Sequence, residues 1–144
     1  MNMAEKIEKT NVMRVLDQLG IDYTPHSFEP GDDLSGAEAA RLMGAEPERV
    51  FKTLVAAGAS GGHYVFIIPV ECSLDLKKAA RSVGEKSIQM IKQKELLPLT
   101  GYIHGGCSPI GMKKLFTTRL EESAQLYDAI IFSAGKIGRQ VELP

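Results

Sequence analysis

The chain has 144 residues, of which 44% are hydrophobic and 24% are charged, and its formal net charge is −1 at pH 7. This length predicts a single domain, residues 1–144, and excludes a multidomain synthetase or processive machine, while the composition is that of an ordinary globular protein. The longest apolar run, Tyr64 to Val70, is far shorter than the ~20 residues of a membrane-spanning helix. Because residues 1–11 contain no apolar signal segment, we expect a cytoplasmic protein without a membrane partner.

The residue types that bind metals are few and widely spaced. Cys72 and Cys107 form no Cys-x-x-Cys motif, and His26, His63 and His104 lack metal-ligand spacing. No pair of acidic residues is placed for hydrolytic metal chemistry. We therefore expect free thiols in a reducing compartment, no metal and no cofactor.

Charge is distributed unevenly along the chain. Residues 1–50 contain ten acidic and five basic residues, whereas residues 51–144 contain eight acidic and twelve basic ones. Between residues 77 and 119, nine basic residues accompany only two acidic ones. We call residues 77–119 the basic stretch. Such a stretch attracts phosphate backbones of any sequence, although lysines scattered over a solvated surface give the same pattern.

Four short helices are predicted from caps and from helical spacing of apolar residues. The first should bury Val12, Leu16 and Leu19, and the second begins at a capping box formed by Ser35 and Glu38. A third, very short helix starts at Pro47 because proline suits the first helical turn. The first, second and fourth helices are expected to begin at Thr10, Ser35 and Ser73 and to end at Gly20, Gly44 and Gly84, respectively.

Seven strands are predicted between and after these helices. The second and third form a β-hairpin across a glycine-rich turn, and the third is apolar on both faces, which indicates the middle of a sheet. Because strands and helices interleave without strict alternation, we expect a mixed α/β fold with a strongly curved, barrel-like sheet surrounded by short helices. The predicted strands are residues 21–28, 52–57, 63–70, 87–90, 115–120, 129–133 and 140–143.

Two segments of small residues are candidates for ligand binding. Residues 101–111 contain four glycines, and adjacent Gly105 and Gly106 let backbone N–H groups converge on a phosphate or a developing oxyanion, although a plain tight loop has the same composition. Neither a Walker motif nor GxGxxG occurs, which argues against nucleoside triphosphate and dinucleotide binding. Residues 133–138 either place the Ser133 hydroxyl at a strand end or form an ordinary turn.

Two side chains are candidates for chemistry by themselves. Lys52 begins a strand whose later residues are apolar, so it lies at the sheet margin, either beside a cavity or as a solvated edge residue. Cys107 follows the glycine pair and is a candidate nucleophile. Nothing in the sequence fixes the side chain of His26, His63 or His104 close to the thiol, and a buried thiol is the simpler interpretation.

Four segments occur in a characteristic order and spacing: FKTLV at 51–55, LDLKK at 74–78, the glycine loop at 101–111 and SAGK at 133–136. In this respect the chain resembles the bacterial YbaK/EbsC family, relatives of the editing domain inserted in prolyl-tRNA synthetase. The resemblance covers the chain from the first helix to its end. It implies a mixed α/β fold around a curved, barrel-like sheet, and a free-standing enzyme that deacylates Cys-tRNA(Pro) or Cys-tRNA(Cys).

The same resemblance implies the partners and the site. The basic stretch would hold the acceptor end of an aminoacyl-tRNA, with cooperation from prolyl-tRNA synthetase. Lys52 matches the family's essential lysine and would contact the 3′-terminal nucleotide or the ester oxygens. The nucleophile would be a water or the substrate's own thiol, with Cys107 outside the chemistry. The implied substrate-binding residues are Phe28, Gly105, Gly106, Ser108, Ser133 and Gly135.

The chain departs from the family in two places. Phe28 stands where several relatives carry a tyrosine, and we expect His26, on the same strand face, to supply the missing polar contact, whereas Tyr23 points to the opposite face. Relatives continue past residues 141–143 into a C-terminal helix, whereas this sequence stops at Pro144, so that either the chain is shortened or this member of the family lacks the helix. Two other functions stay open: a deacylase specific for alanine or serine, and a non-catalytic module that binds aminoacyl-tRNA or a synthetase.

Overall fold

The computed structural model describes residues 9–144, which form four α-helices and two short 3-10 helices. The α-helices are α1 (Asn11–Gln18), α2 (Gly36–Met43), α3 (Leu76–Val83) and α4 (Gln93–Thr100). The 3-10 helices are Pro47–Arg49, which was predicted, and Glu122–Leu126, which was not. None of the described helices is long and apolar enough to span a membrane.

All seven predicted strands are present, with bounds that differ by a few residues at most. They form two sheets, with strand orders β4-β2-β3-β5 and β1-β7-β6. Among the strands of residues 9–144, β3 and β5 are the only pair that runs in parallel, and β3 lies inside its sheet as expected. The strands are β1 (Thr24–Ser27), β2 (Phe51–Gly58), β3 (His63–Pro69), β4 (Ile88–Met90), β5 (Thr117–Leu120), β6 (Ile130–Ser133) and β7 (Arg139–Leu143).

The two sheets approach each other where β2 begins. One parallel bridge joins Val50 to Ile131, and both side chains are almost fully buried. They pack with Ala40 of α2 and with Val70, which follows β3. The expected mixed α/β fold is therefore confirmed, and the strands of residues 9–144 form two sheets joined at one corner rather than a closed barrel.

Helix α1 covers the main hydrophobic core. The Thr10 hydroxyl accepts a hydrogen bond from the Met13 N–H, as an N-cap should. Val12 and Leu16 are buried in the main cluster with residues of both sheets. The predicted burial of Leu19 is wrong: Leu19 lies one residue past the helix, where the chain leaves the core, and is 66% exposed.

The predicted N-cap of α2 is confirmed, whereas the predicted N-cap of α3 is wrong. The Ser35 hydroxyl accepts from the Glu38 N–H, and Gly44 ends α2 with a positive φ of 67°. Helix α3 does not open at Ser73 as predicted. Its N-cap is Asp75, whose carboxylate accepts from the N–H groups of Lys77 and Lys78 at 3.1 Å.

Candidate active site

A cavity of about 590 Å³ lies between the two sheets. Strand β2 supplies one side of it, and β6 and β7 supply another; the loop before α2 and the glycine loop complete the lining. Its volume is within the range of small-molecule sites. The residues that line it include Phe28, Lys52, Thr53, Gly105, Ser133 and Gln140.

Four of the residues singled out in the sequence meet in this cavity. Phe28, Lys52, Gly105 and Ser133 all line it, although they come from four separate parts of the chain. Strand β2 brings in Lys52, and Ser133 is the last residue of β6. The Phe28 N–H donates to the carbonyl of Gly138, which fixes the backbone at that wall. Distant segments therefore bring an ammonium group, a hydroxyl and an aromatic ring to one space.

Gly105 retains an available donor. Its φ is 87°, and a Cβ at this position would lie 3.3 Å from the Leu34 side chain across the cavity wall. Its N–H makes no hydrogen bond with any residue from 9 to 144. The glycine therefore allows close packing against Leu34 and leaves a backbone N–H at the cavity lining.

Gly106 lies behind the lining rather than in it. Its N–H donates to the carbonyl of Ile103 at 3.0 Å, which closes a turn of the glycine loop. A Cβ on Gly106 would lie 3.1 Å from the backbone nitrogen of Ile137. The expectation that both glycine amides face the ligand is therefore wrong for Gly106, whose N–H the loop itself uses.

Ser108 and Gly135 also lie outside the cavity lining. Ser108 is fully buried, and its hydroxyl accepts from the Ile110 N–H at 3.4 Å. Gly135 has a φ of 95°, and a Cβ there would come within 2.9 Å of the Tyr102 ring. The cavity lining therefore does not support a direct contact of either residue with a ligand, and that role stays a prediction. Both hold the segments that carry Gly105 and Ser133.

The charge at the cavity comes from one lysine and an exposed acidic loop. The Lys52 side chain is partly buried and forms no salt bridge or hydrogen bond within residues 9–144. Asp32 and Asp33 lie at the lining on the loop before α2. The Asp33 carboxylate accepts from the Ser35 N–H at 2.9 Å, and this hydrogen bond lowers the pKa of Asp33. Lys52 is thus uncompensated and able to meet an anionic or carbonyl oxygen.

Cys107 lines the cavity, but its thiol is poorly suited to act as a nucleophile at neutral pH. It is buried, and this burial raises the pKa of its thiol to about 11. A thiolate is the nucleophilic form, so the group is almost entirely protonated near pH 7. Cys72 is exposed, and both cysteines are free. Within the described chain, no cluster of three or more histidine, cysteine or acidic residues is suitable for a metal ion.

His26 does not supply a polar contact to the cavity. Its Nε2 lies 2.8 Å from Oε1 of Glu142, and the other oxygen of that carboxylate, Oε2, accepts from Arg49 Nη1 at 3.0 Å. His26 is not part of the cavity lining, and its hydrogen-bond partner Glu142 belongs to β7, the strand that pairs with β1. The His26 prediction is therefore wrong, and the three residues instead form a charged cluster beside the small sheet.

Sequence reasoning missed two polar residues of the lining. Thr53 Oγ1 and Gln140 Oε1 are buried atoms without a hydrogen-bond partner in residues 9–144. Gln140 is 7% exposed and belongs to β7, where a strand of mixed residue types gives no sign of a ligand-facing side. The only signal in the sequence that pointed to Gln140 was its proximity to the SAGK segment at residues 133–136.

Together, the fold and the site define a small mixed α/β protein with a cavity between its two sheets, lined by one lysine and by a glycine whose backbone N–H has no hydrogen-bond partner within residues 9–144. The chain belongs to the aminoacyl-tRNA editing domain family, whose model matches residues 30–144. This membership agrees with the resemblance noted in the sequence.

Individual relatives give the same family. EbsC of Enterococcus faecalis, provisionally named a Cys-tRNA(Pro)/Cys-tRNA(Cys) deacylase, is 50% identical over 137 residues, which are 94% of this chain and 84% of that protein. A proline–tRNA ligase of Pelobacter propionicus is 31% identical over 83 residues, 58% of this chain and 14% of the ligase.

Solved structures show the fold. One, described provisionally as a trans-editing enzyme for prolyl-tRNA synthetase, has a TM-score of 0.75 and 26% identity, covering 94% of this chain and 87% of that one. A hypothetical protein has a TM-score of 0.85 over 93% of this chain and 88% of its own. At 21% identity, this second likeness supports the fold alone.

Proposed function

We propose that this protein is a trans-editing hydrolase that deacylates Cys-tRNA(Pro) and, with it, Cys-tRNA(Cys). The observation that carries the proposal is the meeting of Phe28, Lys52, Gly105 and Ser133 in one cavity of an editing-family fold. The activity in the name of the half-identical relative supports the same substrate class. Cysteine and proline are close in volume, so a synthetase pocket separates them poorly and a second hydrolytic sieve is physically expected.

The chemistry requires little from the protein beyond positioning and electrostatics. Water adds to the ester carbonyl, the carbon–oxygen bond to the ribose breaks, and the 3′-hydroxyl leaves with a proton. Lys52 holds the 3′-terminal nucleotide or an ester oxygen, and the Gly105 N–H stabilises the oxyanion. The thiol of a cysteinyl substrate is the alternative nucleophile. Cys107 is unsuited to this role because its raised pKa keeps it protonated.

The basic stretch supplies a surface for the tRNA. All nine of its lysine and arginine residues are exposed. Contacts from such residues to the acceptor-stem phosphates depend on charge and not on base sequence, so discrimination among tRNAs is weak. We propose that prolyl-tRNA synthetase contributes the missing selection and that the protein acts in the cytoplasm. Non-specific attraction also explains how one site serves two cysteinyl-tRNAs.

Single-turnover deacylation of tRNA(Pro) charged with cysteine, alanine or serine tests this function. We expect rapid loss of the cysteinyl ester and a kcat/KM reduced by about 10²–10³ in Lys52→Met, the size of effect seen when a transition-state donor is removed. Lys9→Met is the matched control, because Lys9 is exposed and pairs with Asp17 rather than lining the cavity.

Each contrary outcome has a distinct meaning. A Lys52→Met protein with the wild-type rate would refute the catalytic assignment. Binding of the aminoacyl-tRNA without ester loss would identify a recognition module instead. Faster deacylation of the alanyl or seryl ester would assign a different specificity to the same cavity.

A further inference from the structure

The two unpartnered buried side-chain oxygens of residues 9–144 both belong to residues that line the cavity. They are Thr53 Oγ1 on β2 and Gln140 Oε1 on β7. A buried polar atom without a partner costs free energy comparable to a lost hydrogen bond, so native proteins retain few of them. In the described part of this chain, both such oxygens belong to the cavity lining, where a ligand can supply the missing hydrogen-bond partner.

Gln140 is isolated among neighbours whose own hydrogen bonds are made. It pairs in register with Ser133 of β6 and His26 of β1. The Ser133 hydroxyl accepts from the Gly135 N–H, and the His26 ring bonds to Glu142. The Gln140 side chain makes no hydrogen bond with a described residue. Because a carboxamide carries its oxygen and nitrogen on one rotatable bond, it can turn either atom toward the cavity.

The substrate class determines which of the two atoms is needed. An aminoacyl ester carries an α-ammonium group, which only donates hydrogen bonds. Lys52 and the Gly105 N–H are donors and suit oxygen atoms of the ester, so neither can hold the ammonium group. Asp32 and Asp33 are acceptors, but both are exposed, and Asp33 already accepts from Ser35. Of the two unpartnered oxygens, Thr53 Oγ1 belongs to a hydroxyl that can donate to an ester oxygen, whereas Gln140 Oε1 only accepts and lies in a residue that is 7% exposed. Gln140 is therefore the better suited of the two to accept from the ammonium group.

We propose that Gln140 accepts a hydrogen bond from the α-ammonium group of the substrate and thereby selects aminoacyl esters over acyl esters that lack the amine. The proposal rests on the function proposed above, since it assumes an aminoacyl ligand. A hydrogen bond between a charged donor and a buried neutral oxygen is stronger than one between neutral groups. The free energy spent on burying the unpartnered carboxamide is recovered when the ligand binds.

Binding of two stable analogues tests the proposal without depending on hydrolysis. The probes are 3′-cysteinylamino-3′-deoxyadenosine and its 3-mercaptopropanoyl counterpart, which differ only in the α-amine. Calorimetry at pH 7 should show that wild-type protein prefers the amine by about tenfold or more, the effect of one charge-assisted hydrogen bond. Gln140→Met fills a similar volume without an acceptor and should bind both probes equally. Gln140→Glu keeps an acceptor and should retain the preference.

Two further measurements separate this role from a structural one. Gln125→Met, an exposed glutamine outside the cavity, should keep the wild-type preference. Thermal unfolding of Gln140→Met should occur at or above the wild-type temperature, because the change removes an unsatisfied buried group. A marked fall in that temperature would show that Gln140 is a structural residue and would overturn the proposal.

The other decisive outcomes concern the amine. Equal affinity of wild-type protein for the two probes, or no binding of either at millimolar concentration, overturns the proposal. The proposal is also overturned if the preference for the probe with the α-amine survives in Gln140→Met but is lost in Asp32→Asn. If the preference follows Gln140 as predicted and the tRNA ester is nonetheless stable in the deacylation assay, the recognition stands and the hydrolytic function fails.

Discussion

Gly138 offers a quantitative test of how the cavity wall is built. Its φ is 84°, its carbonyl accepts from the Phe28 N–H, and a Cβ at this position would lie 2.7 Å from the Phe28 carbonyl oxygen. Alanine in the left-handed region costs about 1–2 kcal/mol. Overpacking against fixed backbone adds about 1–3 kcal/mol. We therefore expect Gly138→Ala to lower the free energy of unfolding by about 2–5 kcal/mol.

Urea unfolding, followed by circular dichroism, measures this change, and the midpoint should fall without a change in slope. Gly84→Ala is the matched control, because Gly84 has a φ of 73° but no atom within 4 Å of the added Cβ. It should lose only the backbone contribution, about 1–2 kcal/mol. Because Phe28 would shift, Gly138→Ala should also raise KM in the deacylation assay. Equal destabilisation by the two substitutions would refute the steric argument.

Three other predictions follow from the charges and thiols. Hydrogen bonds from His26 and Arg49 hold the pKa of the Glu142 carboxyl below its usual value. The contribution of Glu142 to the free energy of unfolding is therefore present above the unfolded-state pKa and is lost as the pH falls through the folded-state pKa. Glu142→Gln should therefore lower the stability by about 1 kcal/mol at pH 7 and by almost nothing in strong acid, as shown by urea titrations at both pH values. Iodoacetamide at pH 7 should modify exposed Cys72 and spare Cys107, as mass spectrometry would show; equal labelling would contradict the raised pKa. Replacing Lys113 and Lys114 with serine should weaken tRNA binding. It should also reduce the steepness of a plot of log K against the logarithm of salt concentration by about one to two units. An unchanged slope would exclude these two lysines from the phosphate contacts.

Local signals in the sequence predicted most of the secondary structure because their physics acts over a few residues. The Ser35 cap and the Gly44 exit fix α2 through hydrogen bonds within one turn. The opening of α3 was misplaced because both Ser73 and Asp75 are good caps. The carboxylate that reaches two N–H groups is the one directly before the helix.

Helix α4 was missed for a reason that also lies in local chemistry. Pro98 is inside the helix, and proline removes a backbone donor and ordinarily marks a boundary. The structure compensates at the ends: the Glu95 carboxylate accepts from the Lys92 N–H, and Thr100 is buried, with its hydroxyl donating to Leu96. Hydrogen bonds at the helix ends thus offset the backbone donor that Pro98 lacks, and intrinsic helix propensities do not include such contacts.

The site divides into a part that residue type reveals and a part that only tertiary structure reveals. A lysine at a strand start and a glycine pair are unusual enough to be selected from the sequence, and Lys52 and Gly105 do meet at one cavity. The Gly106 N–H was misjudged because its acceptor, the Ile103 carbonyl, depends on how the loop turns. Gln140 could not be selected at all. Alternation along a strand predicts which side chains are buried, whereas the absence of a partner depends on every element packed around the carboxamide.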